Sequence, residues 1–174
     1  WEGLGPGLNG TVRALAVFDS GGGLELVAGG DFITSGTSSV QRVARWNGST
    51  WSKLGTGPNL PVHALAVYND GSGFKLYAGG DFTFAGGVPA LRVARYDGTS
   101  WSPAGSGLAG GTVRVFTSHD DGGGKRLYAG GSFFDTTAGI AYLATWDGTG
   151  WSSPGGGVGE QCSALIEWDP GFFP

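Results

Sequence analysis

Residues 74–101 read FKLYAGGDFTFAGGVPALRVARYDGTSW, and this stretch decides the fold. Its two apolar runs, Phe74–Ala78 and Leu91–Tyr96, lie on either side of two glycine pairs, and Asp97-Gly98 follows the second run. Aspartate or asparagine before glycine tolerates the positive φ that tight hairpin turns require. The stretch therefore predicts short antiparallel strands separated by turns.

The same pattern recurs along the chain with a period of 50 residues. Residues 1–50 and 51–100 agree at about half of their positions, and the third copy gains one residue near Gly110 before it recovers the register. A tryptophan opens every copy, at Trp1, Trp51, Trp101 and Trp151. The single segment 1–174 thus holds three full repeats (1–50, 51–100 and 101–150) and a partial one (151–174).

Each repeat predicts four short strands and no helix. In the second copy they cover Val62–Tyr68, Phe74–Ala78, Leu91–Tyr96 and Trp101–Gly105. Pro103 places the fourth strand at an outer edge, because proline cannot donate to a ladder. A repeat of about 50 residues with four strands is typical of a propeller blade. We therefore predict an all-β propeller of four-stranded antiparallel blades, with about 3.5 blades in this chain.

The repeated residues resemble the kelch repeat. Gly79, Gly80, Tyr96 and Trp101 stand where that repeat has its glycine pair, its aromatic residue and its later tryptophan. The longer pattern, Tyr-Ala-Gly-Gly-Asp-Phe with Arg-Val-Ala-Arg-Tyr-Asp-Gly, also resembles glycine-rich repeats of large bacterial surface proteins and of fungal cortical polarity-marker proteins. The resemblance covers nearly the whole chain and implies a propeller. It does not imply one activity, since kelch-like propellers include both binding scaffolds and oxidases.

Composition narrows the classes of partner. The 37 glycines and the 14% of charged residues describe a turn-rich chain, and 13% aromatic residues supply its core. The net charge is −4, and Lys and Arg are scattered singly, so we expect no nucleic-acid partner. No membrane span or signal peptide is predicted from these residues. Low charge, the lack of methionine and the surface-protein resemblance favour an extracellular or cell-surface location.

No pattern points to catalysis. Copper-radical oxidases with kelch-like propellers need two His, two Tyr and a Cys cross-linked to one Tyr; this chain has His63, His119 and one cysteine, Cys162, but His63 stands on an inner strand where the first copy has Arg13 and is not interpreted as a metal ligand. We predict that Cys162, which replaces Val12 and Val62 of other copies, is a buried small hydrophobe. His63 is expected to face the channel or a neighbouring blade. The sequence thus predicts no enzyme, no catalytic residue, no cofactor and no metal site.

The recurring polar residues are interpreted as structural. Asp31 and Asp81 are predicted to accept backbone N–H bonds in a tight turn, with ligand contact as the alternative. Alternation puts two pairs of arginines on opposite strand faces, so one pair should form ion pairs or stack between blades while the other is solvated. These pairs are Arg45 with Arg95 and Arg42 with Arg92. The acidic glycine loops that begin at Asp19, Asn69 and Asp120 are interpreted as hairpin turns, since each offers too few carboxylates for calcium.

The number of blades raises a problem, because propellers close with about four to eight. We expect Trp1–Leu8 to form a fourth strand and Cys162–Trp168 a first strand, which leaves two blade faces open. The residues expected at this interaction surface are Trp1, Cys162, Trp168, Phe172 and Phe173. The hypothesis is a non-catalytic structural or protein-interaction module whose partner is a second copy or further repeats of a longer chain.

The alternative is a carbohydrate-binding or glycan-hydrolysing propeller. Six tryptophans would stack on sugars if they were exposed, although their regular recurrence favours packing between blades. They are Trp1, Trp51, Trp101 and Trp151, which open the copies, together with Trp46 and Trp146. Convergence of tryptophan or aspartate side chains at one mouth of the channel would favour a ligand site. Burial of these side chains between blades would argue against a glycan partner.

Overall fold

A computed structural model describes residues 3–167, and their regular structure consists of strands. The first repeat contains β1 (Val12–Asp19), β2 (Leu24–Gly30), β3 (Thr34–Ser35), β4 (Ser38–Ser39), β5 (Val43–Trp46) and β6 (Trp51–Lys53). The second contains β7 (Val62–Asn69), β8 (Phe74–Gly80), β9 (Phe84–Ala85), β10 (Val88–Pro89), β11 (Val93–Tyr96) and β12 (Trp101–Pro103). The third contains β13 (Val113–Asp120), β14 (Lys125–Asp135), β15 (Ile140–Trp146) and β16 (Trp151–Ser152). With no helix in the described part, no segment there forms a membrane-spanning helix.

With the strand that opens the next repeat counted as its fourth, each repeat folds into one four-stranded antiparallel sheet. The strand orders are β1-β2-β5-β6, β7-β8-β11-β12 and β13-β14-β15-β16. We call these sheets blades 1, 2 and 3. The innermost strands β1, β7 and β13 pack side by side, and Pro103 lies on the edge strand β12 as predicted. The all-β propeller architecture is confirmed.

Two small hairpins, β3–β4 and β9–β10, were not predicted. Each joins the second and third strands of its blade, and turn glycines with left-handed φ, Gly36 at 54° and Gly86 at 66°, allow the tight reversal. In blade 3 the same region merges into the long strands β14 and β15, where Asp135 pairs with Ile140. The hairpins therefore belong to the connection between the second and third strands.

The glycine pair at the end of β8 lets two blades approach closely. A Cβ atom on Gly79 would lie 2.5 Å from Cγ1 of Val113 and 2.8 Å from the ring of Phe116, both in blade 3. Gly29 meets Val62 and Leu65 of blade 2 in the same way. Glycine inside a strand commonly marks a bulge, a bend or a close approach of another backbone, and here it permits a close approach between blades.

Apolar clusters fill the joints between blades. Tyr77 and Leu127 belong to the cluster that joins blades 2 and 3. The tryptophan of the fourth strand ties its blade to the residue that follows the fourth strand of the preceding blade: the indole nitrogens of Trp101 and Trp151 donate to the carbonyl oxygens of Leu54 and Ala104 at 2.7 and 2.9 Å. Packing of these tryptophans, rather than exposure, is thus confirmed.

The two terminal strands were predicted wrongly. Residues 3–8 form no strand, and neither do Cys162–Glu167; Trp168 lies outside the described residues. A strand needs a ladder partner for its backbone groups. The partner of the first segment would be the third strand of a preceding blade, and that of the second would be the second strand of a following blade. Neither partner strand is among residues 3–167.

Candidate functional site

Each innermost strand begins with a β-bulge that frees one polar residue from the ladder. In blade 1, Val12 pairs with Gly30 and Ala14 pairs with Gly29, so Arg13 has no partner across the strands. The same irregularity falls at His63 and at Arg114. A bulge re-aims the side chain of its extra residue, so the three side chains turn in the same direction.

These bulged residues line one cavity. Arg13, His63 and Arg114 surround a space of about 390 Å³ together with Thr11, Val12 and Ser163. Ser163 holds the same repeat position in the partial fourth repeat. Since Arg13, His63 and Arg114 lie at the beginning of the innermost strands and Ser163 holds the corresponding repeat position, we interpret the cavity as one mouth of the propeller channel. The expectation that His63 faces the channel is confirmed.

At this mouth, two of the bulged side chains are paired with carboxylates. Arg13 donates from Nε and Nη2 to the two carboxylate oxygens of Asp31 at 2.8 and 2.7 Å. In blade 2, Nε2 of His63 lies 2.8 Å from Oδ2 of Asp81, and the Thr112 hydroxyl donates to Oδ1 at 2.5 Å. The prediction that these carboxylates accept backbone N–H bonds in a turn was wrong, because the bulges bring the side chains of Arg13 and His63 within their reach.

The pairing keeps both carboxylates ionised. The hydrogen bond from Arg13 lowers the pKa of Asp31, and the carboxylate in turn raises the pKa of Arg13. Burial alone would raise the pKa of Asp81, but the hydrogen bonds from Thr112 and His63 outweigh it and the pKa falls. Asp31 and Asp81 therefore act as fixed negative charges at the channel mouth.

Blade 3 breaks the pattern. Arg114 keeps the cation of blade 1, but Ser132 stands where Asp31 and Asp81 stand. Oγ of Ser132 accepts a hydrogen bond from the backbone N–H of Thr112 at 3.2 Å. Within residues 3–167 the guanidinium of Arg114 has neither an ion-pair nor a hydrogen-bond partner.

The arginines before and within the third strands divide into two groups. Arg95 forms an ion pair with Asp70 at 2.6 Å and lies 6.0 Å from the ring centroid of Trp146 in the next blade, as predicted for one pair. The other pair was expected to be solvated, which was wrong. Arg42 and Arg92 adopt left-handed φ of 68° and 65°, and their guanidinium groups donate to the carbonyl oxygens of Asp31 and Asp81.

A polar chain crosses the joint between blades 2 and 3. Asp70, whose side chain is 2% exposed, accepts hydrogen bonds from Arg95, from Lys75 at 2.8 Å and from the Tyr77 hydroxyl at 3.0 Å. Nε1 of Trp146 donates to the hydroxyl oxygen of Tyr77 at 3.1 Å. Burial raises the pKa of Tyr77 to about 12. Burial also tends to raise the pKa of Asp70, but the hydrogen bonds from Lys75 and Ser72 outweigh this effect. The pKa of Asp70 therefore lies well below its usual range.

The acidic glycine loops are hairpin turns, as predicted. The side-chain oxygen of Asp19 accepts the backbone N–H groups of Gly21 and Gly23 at 2.7 and 2.9 Å, and Asn69 and Asp120 repeat this arrangement in their loops. In the described chain, no three His, Cys, Asp or Glu side chains lie close enough together to hold a metal ion.

Of the five residues predicted for the interaction surface, only Cys162 is described; Trp1, Trp168, Phe172 and Phe173 lie outside residues 3–167. The backbone N–H of Cys162 donates to the carbonyl oxygen of Gly131 at 2.9 Å. A Cβ on Gly130 would lie 2.7 Å from its Sγ, so Cys162 sits where Val62 and Val113 sit on the preceding blade. It is half-buried rather than buried, because nothing in the described chain covers its other side.

The face of blade 1 that points away from blade 2 exposes apolar side chains whose counterparts in blade 2 are partly covered by a neighbouring blade. Leu15 and Val17 of β1 are 59% and 56% exposed. Their counterparts in β7, Leu65 and Val67, pack against the core cluster that joins blades 1 and 2. This face therefore has the residues of a blade joint without the neighbouring blade.

These observations define the class: the chain is a β-propeller segment built from repeated four-stranded blades. Residues 75–102, which run from the second to the fourth strand of blade 2, match the family model of a β-propeller domain of unknown function, DUF5122. No curated protein matches the chain, and no solved structure matches it. The closer resemblance to kelch repeats stays a prediction.

Proposed function

We propose that the chain is a non-catalytic β-propeller module that binds protein through the faces of blades 1 and 3. The observation that carries the proposal is the exposure of Leu15 and Val17 at positions where blade 2 partly buries Leu65 and Val67 in a joint. An apolar face of this kind is stabilised when a partner removes it from water.

The face of blade 3 repeats the packed ring pair that blade 2 presents to blade 3, with His119 in the place of Tyr68. His119 and Tyr128 pack at 6.2 Å between ring centroids, as Tyr68 and Tyr77 do at 5.9 Å, and the Tyr128 hydroxyl donates to Asp121 at 3.3 Å. Leu165 and Ile166 of the C-terminal segment line a space of about 180 Å³ together with this pair. The face is therefore shaped for a further blade.

The partner that fits both faces is a blade of the same repeat. In blade 1, Trp46 packs on Trp51 at 5.4 Å, as Trp146 packs on Trp151 at 5.2 Å. Trp46 is thus placed to donate to the hydroxyl of Tyr128 on a neighbouring blade, as Trp146 donates to the hydroxyl of Tyr77. Such a blade comes from a second copy of the chain or from further repeats of a longer protein. We also propose that the protein acts outside the cell or at the cell surface, which its low content of charged residues favours.

The absence of catalysis is proposed from the arrangement at the channel mouth. A nucleophile needs a base within hydrogen-bond reach. The Thr112 hydroxyl, however, donates to Asp81 and not to His63, so the imidazole is not paired with a hydroxyl there. For the alternative of a glycan partner, Trp101 offers no stacking platform because it is buried, whereas Asp31 and Asp81 do converge at the mouth.

The experiment is to measure the solution mass by light scattering over a concentration series for the wild type, Leu15→Lys and Leu24→Lys. Leu24 is 78% exposed, and blade 3 has a lysine at the same position, Lys125, which makes Leu24→Lys a matched control. We expect a dimer that Leu15→Lys abolishes and Leu24→Lys retains. A monomer at every concentration would contradict self-association and require that the blade come from further repeats.

A further inference from the structure

We propose that Arg114 binds the carboxylate of a small external acid at the channel mouth. The bound carboxylate would take the place that an aspartate side chain fills in blades 1 and 2. This inference is independent of association through the blade faces, because it concerns the channel mouth and not Leu15, Val17 or Tyr128.

The repeat itself indicates the chemistry of the ligand. The bulged Arg13 binds both oxygens of Asp31, at 2.8 and 2.7 Å, in the bidentate geometry that guanidinium groups favour with carboxylates. Arg114 stands at the same bulge, and Ser132 replaces the aspartate. Serine supplies no carboxylate to the guanidinium of Arg114, which has no hydrogen-bond or ion-pair partner within residues 3–167 and lines an open cavity.

The local charge also favours an anion. Four arginines lie at this end of the blades: Arg13 and Arg114 on the channel wall, and Arg42 and Arg92 against the carbonyl oxygens of Asp31 and Asp81. The carboxylates that pair with cavity-lining side chains there are Asp31 and Asp81. The mouth is thus positive although the chain carries a net charge of −4, and such a focused field attracts an anionic ligand.

The surroundings can complete the site. The hydroxyl of Ser132 uses its oxygen as an acceptor for Thr112 N–H, so its proton remains available for a ligand oxygen. Ser163 lines the same cavity as Arg114, and the space of about 390 Å³ accommodates a monosaccharide acid or a dicarboxylate. Arginine and hydroxyl donors around one oxyanion are the common composition of a carboxylate site.

The test is a nuclear magnetic resonance titration that follows the side-chain Nε–H of Arg114 and the amide of Ser132. The probes are galacturonate and glutarate, with neutral galactose and inorganic sulfate as comparisons. We expect saturable shifts from both acids with dissociation constants in the millimolar range, and at least tenfold weaker binding of galactose and sulfate. Tighter binding of galacturonate than glutarate would identify a sugar acid, and equal binding would identify the carboxylate alone; both support the proposal.

Three variants make the test specific. Ser132→Asp restores the pattern of blade 1 and should weaken binding at least tenfold by supplying an internal carboxylate. Arg114→Gln should do the same by removing the donor. The control is Arg126→Gln, because Arg126 lies on β14 five residues before Gly131, about 16 Å along the strand from the bulge.

Three results would overturn the proposal. The first is the absence of chemical-shift changes at tens of millimolar galacturonate or glutarate. The second is an affinity for these acids that neither Ser132→Asp nor Arg114→Gln changes. The third is binding of galactose or sulfate as tight as that of galacturonate. Far-ultraviolet circular dichroism of each variant establishes that a loss of binding is not a loss of fold.

Discussion

The indole nitrogen of Trp146 donates a hydrogen bond to the hydroxyl oxygen of Tyr77 across 3.1 Å and so joins blade 3 to blade 2. The hydroxyl of Tyr77 in turn donates to Asp70, whose side chain is almost fully buried. The polar chain runs through an otherwise apolar joint. Because each member satisfies the next, the chain favours one relative placement of the two blades.

Replacing Tyr77 by phenylalanine breaks this chain at its centre. Tyr77→Phe leaves the buried Trp146 N–H without an acceptor, and Asp70 loses one donor, so we expect the free energy of unfolding to fall by about 2 kcal/mol. Urea denaturation measures the change. Tyr128→Phe is the matched control: its hydroxyl makes the corresponding bond to Asp121 near the surface, and its loss should cost less than about 0.5 kcal/mol. Equal effects of the two variants would contradict the role of the joint.

Acid should weaken the same joint. The folded-state pKa of Asp70 lies below its unfolded value of about 3.9, so its stabilising contribution is present above that pH and is lost as the pH falls toward the folded pKa. At neutral pH, Asp70→Asn should destabilise by about 3 kcal/mol, because Lys75 and Arg95 lose their buried counter-charge. Urea midpoints of wild type and variant should converge below about pH 4. A constant difference down to pH 2 would contradict this assignment.

The close approach of the blades makes Gly79 intolerant of a side chain. Gly79→Ala places a Cβ atom 2.5 Å from Val113 and 2.8 Å from Phe116, and we expect a loss of about 3 kcal/mol from overpacking. Thermal unfolding followed by circular dichroism measures it. Gly22→Ala is the control, since Gly22 has open space and no left-handed φ, and it should change stability by less than about 0.5 kcal/mol. Similar stabilities of the two variants would show that the joint yields to a methyl group.

Burial separates Tyr77 from an exposed phenol in alkaline titration. We expect Tyr77 to ionise at about pH 12, because burial disfavours the phenolate. A spectrophotometric difference titration of wild type against Tyr77→Phe isolates this group. Ionisation near pH 10 would mean that the joint is open to water.

The regular parts of the fold could be predicted from the sequence because they rest on local chemistry. Asp97-Gly98 specifies a hairpin, Pro103 specifies an edge, and the recurrence of Trp101 and Trp151 specifies a buried anchor. These signals depend on backbone conformation and burial, which repeat identically in every copy. The small hairpins β3–β4 and β9–β10 were missed, since two-residue strands carry no periodicity.

The candidate site could not be predicted in the same way. Alternation along a strand is the rule that assigns side chains to faces, and the bulges at Arg13, His63 and Arg114 break it where the channel begins. The predicted hydrogen-bond partners of Asp31, backbone N–H groups of a turn, were therefore wrong, because Arg13 binds it instead. One signal was present: Arg114 keeps its cation while Ser132 loses the carboxylate, a difference between copies that alignment of the repeats shows.

The measurement that most directly tests the account is amide hydrogen exchange of the concentrated and the dilute protein, analysed peptide by peptide. If the blade faces bind, concentration should increase protection in Val12–Phe18 of blade 1 and in the part of blade 3 around Tyr128, and leave the edge strand Trp101–Pro103 unchanged. Protection that appears instead along the outer edge strands would contradict it, because association would then proceed by pairing of sheet edges and not through the faces of the blades.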